Sequence, residues 1–178
     1  MFEIILIVLA VAVIVLLVVA ARQPDEFRVS RSSVLPVAPS IVFPHVNELR
    51  KWEAWSPWAR LDPNAKSTFE GPPAGTGAVM RWAGNKNVGE GSMTITDSRP
   101  NEMIQFRLEF LKPFKATNTA EFVFKLQGNQ TQITWSMYGT NNFLSKVIGL
   151  FINCEKMVGG QFERGFANLK EVVERTKS

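Results

Sequence analysis

Few side chains in this sequence are suited to covalent or proton-transfer chemistry. There is one histidine, His45, and one cysteine, Cys154. A Cys-His pair can act as a nucleophile because the imidazole takes the thiol proton. Here the two lie far apart on different predicted helices, and Cys154 fits an apolar helix stripe as a small hydrophobe. Glu155 and Glu163 stand two turns apart beside that same stripe. Buried there, either would serve as a general base with a raised pKa; on the solvated flank of the helix, neither would. No group of His, Cys and carboxylates approaches the spacing of a metal site, so no catalytic residue, metal or cofactor is assigned. The segment "GPPAGTG" at 71–77 lacks the Lys-Ser/Thr of a phosphate loop and precedes a strand, which makes it a turn.

Aromatic residues are the more informative feature. Trp52, Trp55 and Trp58 fall within seven residues of a chain that has five tryptophans. Indole is neither a useful acid nor a useful base. At i and i+3 on a helix, Trp52 and Trp55 share a face, which suits them to close the end of a core or to line the entrance to one.

The elements that position these residues follow from periodicity. Ile104, Phe106, Leu108 and Phe110 alternate with polar residues; Ala120, Phe122, Phe124 and Leu126 repeat the spacing on one face, and Ile133, Trp135 and Met137 alternate with Thr134 and Ser136. Period two of this kind predicts a meander of half-buried antiparallel strands. "EFRVSRSSVL", "GAVMRWAG" and "GEGSMTITDS" add strands bounded by turn residues, for six or seven in all. Helical spacing predicts a helix over 41–55, split in two at Pro44. It also predicts one long amphipathic helix over 143–173, with Leu144, Val147, Ile148, Phe151, Val158, Phe162, Phe166 and Leu169 on its apolar stripe. Inside that helix Gly159 and Gly160 each cost about 1 kcal/mol against alanine; room for a ligand is the compensation expected.

The amino terminus is of another character. Fourteen of the sixteen residues from Ile4 to Val19 are Ile, Leu or Val, worth very roughly −4 to −8 kcal/mol for bilayer insertion. Eighteen uncharged residues span about 27 Å as a helix, close to the hydrocarbon thickness. The reading is a single-pass transmembrane anchor over 1–22 and a linker over 23–26, with one folded domain over 27–176; a cleaved signal peptide would need a basic leading region. Glu3 before the segment and Arg22, Arg28 and Arg31 after it place the domain in the cytoplasm by the positive-inside tendency. The net charge of +4, from 20 basic and 16 acidic residues without a cluster, argues against a nucleic-acid partner.

In this order, "WEAWSPWARLDP", "LKPFKATNTAEFVF", "TQITWSMYG" and "FERGFANLKEVVE" resemble the START and birch-pollen-allergen-like (SRPBCC) superfamily, of the polyketide cyclase/dehydrase and lipid transport type, over roughly residues 26 to 175. The resemblance implies an α+β helix-grip fold: a curved antiparallel sheet of six to seven strands wrapped around a long C-terminal helix, enclosing an apolar cavity. On such a fold the ligand-binding residues are expected to be Trp55, Phe106, Leu108, Phe122, Phe124, Trp135, Met137, Phe151, Val158 and Phe162. The function expected is sequestration of a lipid-like or other apolar small molecule beside the membrane. Two alternatives stand: an enzyme of the cyclase or dehydratase type using Glu155 or Glu163, and a ligand-free scaffold with protein partners.

Overall fold

The computed structural model describes residues 1–151 and 153–175. Chain order is α1 (Phe2–Ala21), β1 (Glu26–Leu35), α2 (Pro39–Asn47), α3 (Trp52–Trp55), β2 (Lys66–Glu70), β3 (Val79–Ala83), β4 (Glu90–Arg99), β5 (Met103–Lys112), β6 (Ala116–Gln127), β7 (Gln130–Thr140), α4 (Phe143–Gly149) and α5 (Cys154–Arg175), with 3-10 turns at Leu49–Lys51 and Trp58–Arg60. The strands form one antiparallel sheet in the order β1-β7-β6-β5-β4-β3-β2. This is the expected α+β helix-grip architecture, with seven strands.

Its logic is the alternation read from the sequence. Residues paired across antiparallel strands share a face, so Ile95, Phe106, Ala120, Met137 and Val29 form one row across β4, β5, β6, β7 and β1. This face is concave and packs on α5 through Phe162, Phe166, Leu169 and Val173, all of them buried. α2 and α3 close one end of the sheet.

Four expectations need correction. The predicted helix over 143–173 is two helices, because α4 ends at Gly149 and α5 begins at Cys154, where Asn153 Oδ1 accepts the Lys156 N–H at 2.9 Å. The main packing partner of α4 is α1. The break over 41–55 falls at Glu48 and not at Pro44, which sits inside α2. A proline there leaves only the Ser40 carbonyl without its helical donor, and Ser40 is exposed. β2, "KSTFE", was not expected, since Phe69 is its one large apolar residue.

The glycine pair is the fourth correction. A side chain on Gly159 would strike the guanidinium of Arg31, which occupies that space beside the helix. Arg31 Nη1 reaches Glu155 Oε1 and its Nε reaches Glu163 Oε1, each at 2.7 Å. The space at Gly159 therefore belongs to an arginine that ties β1 to α5. Beside it, a side chain on Gly160 would meet no atom within 4 Å.

Candidate functional site

The inner face of the sheet has two unlike halves. Toward α2 and α3 it is filled. Trp52 and Trp55 insert between sheet and helix with ring centres 4.6 Å apart; Trp52 meets Phe106, Phe122 and Trp135 edge-on at 5.6–5.9 Å, and Trp135 stacks on Phe162 at 4.1 Å. Both indole N–H groups are satisfied, Trp52 donating to the Val46 carbonyl and Trp55 to the His45 carbonyl, each at 2.9 Å. Asn168 on α5 donates to the Trp55 carbonyl at 3.0 Å, which fixes α3 against the long helix. Large edge-to-face aromatics with paired polar tips are what a small domain needs at the end of its core.

Toward α4 the same face is only half-buried. Met80, Trp82, Leu108, Phe110, Asn118 and Met137 continue the concave rows there, with Val158 one helical turn before Phe162. One polar side chain, Asn118, continues these rows, and a second unpartnered group, Gln161, lies on α5. The Asn118 side chain makes no hydrogen bond among the described residues, and it is placed opposite Gly139, where any side chain would clash with its Oδ1. Gln161 buries its Oε1 without a hydrogen-bond partner among the described residues. An orphaned buried acceptor costs about 1–3 kcal/mol.

The structure thus divides the ten residues expected to bind ligand. Trp55, Phe106, Phe122, Trp135 and Phe162 are brought together, but as mutually packed core with at most 3% of their surface exposed. Phe124 is buried against Phe43 with ring centres 5.4 Å apart. Leu108, Met137 and Val158 reach the half-buried half. Phe151 lies outside, 73% exposed in the connection between α4 and α5, because the helix break removes it from the stripe. Sequence reasoning missed Asn118 and Gln161; the strand parity that marked Leu108 and Ala120 as inward also marks Asn118.

The groups considered for catalysis are placed less favourably. Glu155 and Glu163 are exposed by 58% and 63% and both are held by Arg31, so neither has the burial that a general base here requires. These two carboxylates also hold the Arg31 guanidinium above its ordinary range. His45 is half-buried on α2, and desolvation lowers its pKa, with Lys51 adding to the effect. Cys154 is exposed at the first turn of α5, and no hydrogen bond joins it to His45 among the described residues. The "GPPAGTG" segment is a turn between β2 and β3. Gly71 has φ +77°, and a side chain on it would sit 2.4 Å from the Gly77 carbonyl oxygen, so the turn needs glycine at that position. Beside this turn a cleft of about 150 Å³ is lined by Leu49, Arg50 and Phe69, the last of them paired with Met80 across β2 and β3.

Comparison with known proteins agrees with this architecture. Protein MLL2253 from Mesorhizobium loti superposes with a TM-score of 0.63 at 12% identity, covering 84% of this chain and 98% of its own. Protein SA2116 from Staphylococcus aureus, of unknown function, gives 0.62 at 12% identity, covering 86% and 96%. The structure of Ara h 8.0201 gives 0.56 at 12% identity, covering 84% and 99%. At such identities the likeness is one of fold. No curated protein matches the chain. The family model described as polyketide cyclase / dehydrase and lipid transport matches residues 26–174, and with the sheet, the gripped helix and the half-buried inner face in place, the chain belongs to that family.

Proposed function

We propose that the half-buried inner face is a binding site for an apolar small molecule, with a polar end of the ligand recognised by Asn118 and Gln161. The observation that carries this reading is the change along one face from packed core at Trp52 and Trp55 to half-buried apolar surface at Leu108, Phe110, Met137 and Val158, with the Asn118 amide, unpartnered among the described residues, in the same rows. A lining that is mostly apolar with a few placed polar groups is the usual chemistry of a small-molecule site. Membership of a family whose description includes lipid transport supports a lipid-like ligand.

The same reading makes the domain membrane-anchored. α1 is one helix long and apolar enough to cross a membrane, with a mean hydropathy of 3.6. Arg22, Arg28 and Arg31 follow it, which supports a cytoplasmic domain over 27–176. Protease protection in sealed membranes checks this orientation; a domain cleaved only from the outer face of intact cells would reverse it.

The ligand reading is tested by titrating the detergent-solubilised full chain with a fluorescent fatty-acyl probe. Saturable binding is expected, and Met137→Arg should weaken it about tenfold or more, equivalent to at least about 1.4 kcal/mol, while the protein still melts cooperatively. Unchanged binding by Met137→Arg, or no binding by the parent, would count against the site.

A further inference from the structure

The α4 end of the domain carries a concentration of exposed apolar side chains that the binding site does not explain. Strand register brings its parts together. Glu26 at the start of β1 pairs with Thr140 at the end of β7, Phe110 pairs with Ala116 across the β5–β6 hairpin, and Glu90 pairs with Lys112. The β5–β6 tip, the β3–β4 tip, the start of β1 and the start of α4 therefore share one end of the sheet. On that end Leu111, Phe114, Phe143, Leu144 and Phe151 are between 52% and 73% exposed. A hairpin tip and a short amphipathic helix that both present large apolar side chains to solvent mark an interaction surface.

What covers that surface follows from where α1 ends. Only residues 22–25 separate α1 from β1, a reach of at most about 14 Å. α4 packs on the last turns of α1, leaving Ala20 fully buried and Leu16 half-buried, and Lys146 on α4 pairs with Asp25 in the linker. A helix that crosses the bilayer thus carries α4 at the level of its own cytoplasmic end. Charge at this end points the same way. Lys112 is paired with Glu90, whereas Arg22, Lys86, Lys115 and Lys156 are exposed and make no ion pair among the described residues. Among the described residues, exposed Glu26 is the one acidic residue there that also lacks an ion-pair partner.

On the reading of α1 as a membrane anchor, we propose that this end is a second membrane-binding element. The Leu111–Phe114 tip and the outer face of α4 enter the interface of the leaflet from which α1 emerges, and the surrounding lysines engage its anionic headgroups. Apolar side chains set among basic residues are the composition of interfacial segments, and juxtamembrane basic groups are drawn to the anionic cytoplasmic leaflet. The half-buried face at Leu108, Phe110 and Met137 then opens toward the bilayer surface.

The test uses the full chain in a Cys154→Ser background, with single cysteines introduced by Ala10→Cys, Phe114→Cys, Leu144→Cys or Asn129→Cys. Each is labelled with an environment-sensitive fluorophore and reconstituted into phosphatidylcholine–phosphatidylserine vesicles that contain spin-labelled lipids. The expected result is a blue shift and loss of emission at positions 114 and 144 with shallow spin labels, quenching at position 10 with deep ones, and no change at position 129 in the opposite hairpin. Quenching at 10 without quenching at 114 and 144 overturns the docking surface and leaves the anchor standing. Absence of quenching at 10 overturns both. Because the labelled positions are exposed, circular dichroism should report an unchanged fold; repeating the measurement with Lys115→Glu should reduce quenching at 114 in phosphatidylserine-containing vesicles and not in pure phosphatidylcholine.

Discussion

Truncating Trp52 to alanine should lower the stability of the domain by about 3–5 kcal/mol, the range for removing a large aromatic from a packed core. The indole is 5% exposed and lies between Trp55, Phe106, Phe122 and Trp135, so no neighbour can collapse into its place without moving another ring. Its N–H donor to the Val46 carbonyl is lost as well, leaving a buried acceptor unpaired. Trp82→Ala provides the contrast. That side chain is half-buried at the sheet margin, touching Phe110 edge-on at 5.9 Å, and its removal should cost clearly less. Urea unfolding of the two variants measures the difference. Equal losses would mean that the tryptophan cluster is not the core of the fold.

Two glycines on α5 should respond with opposite sign. A side chain on Gly165 would place its first carbon 2.9 Å from Trp135 Cζ3 and 3.3 Å from Pro57 Cδ, both parts of rigid rings. Gly165→Leu should therefore cost roughly 1–3 kcal/mol or more by overpacking, well beyond the gain of about 1 kcal/mol in helix propensity. At Gly160, where a side chain meets nothing within 4 Å, Gly160→Ala should keep that propensity gain and raise stability by up to about 1 kcal/mol. Thermal melts of the two proteins, one below and one above the parent, check the pair. Gly160→Ala melting well below the parent would show that the helix is closer to a neighbour than its geometry indicates.

These results bear on how much of the molecule was legible in the sequence. The meander of β5, β6 and β7 was legible because the middle of each strand buries one face, so period two shows in Ile104, Phe106 and Leu108, in Ala120, Phe122 and Phe124, and in Ile133, Trp135 and Met137. β2 was not, because an edge strand with one large apolar residue has no alternation to read. The apolar stripe was correct as a set of positions and misleading as a single helix. Its three- and four-residue spacing continues from Phe151 to Cys154 and Val158, while Gly149 and the capping Asn153 interrupt the backbone. Gly and Asn are known stop and start residues, and weighing them above periodicity would have placed the break.

The site was less legible than the fold, for a physical reason. Periodicity says which residues face inward but not whether inward space is already occupied. Trp52 and Trp55 occupy half of it from a segment remote in sequence, and that is why Phe106, Phe122 and Trp135 are core while Leu108 and Met137, on the same strands and the same face, remain half-buried. The space at Gly159 was filled likewise by Arg31, more than a hundred residues away in the chain. Composition alone contains no such long-range volumes.

The claim that the half-buried face receives an apolar ligand is tested most directly by photo-crosslinking. A fatty acid carrying a diazirine on its chain, incubated with the full-length protein in membranes and activated, should leave adducts that peptide mass spectrometry maps to the segments bearing Leu108, Phe110, Asn118, Met137 and Val158, with labelling reduced by excess unmodified fatty acid. Adducts confined to α1, or scattered over exposed surface without competition, would contradict it.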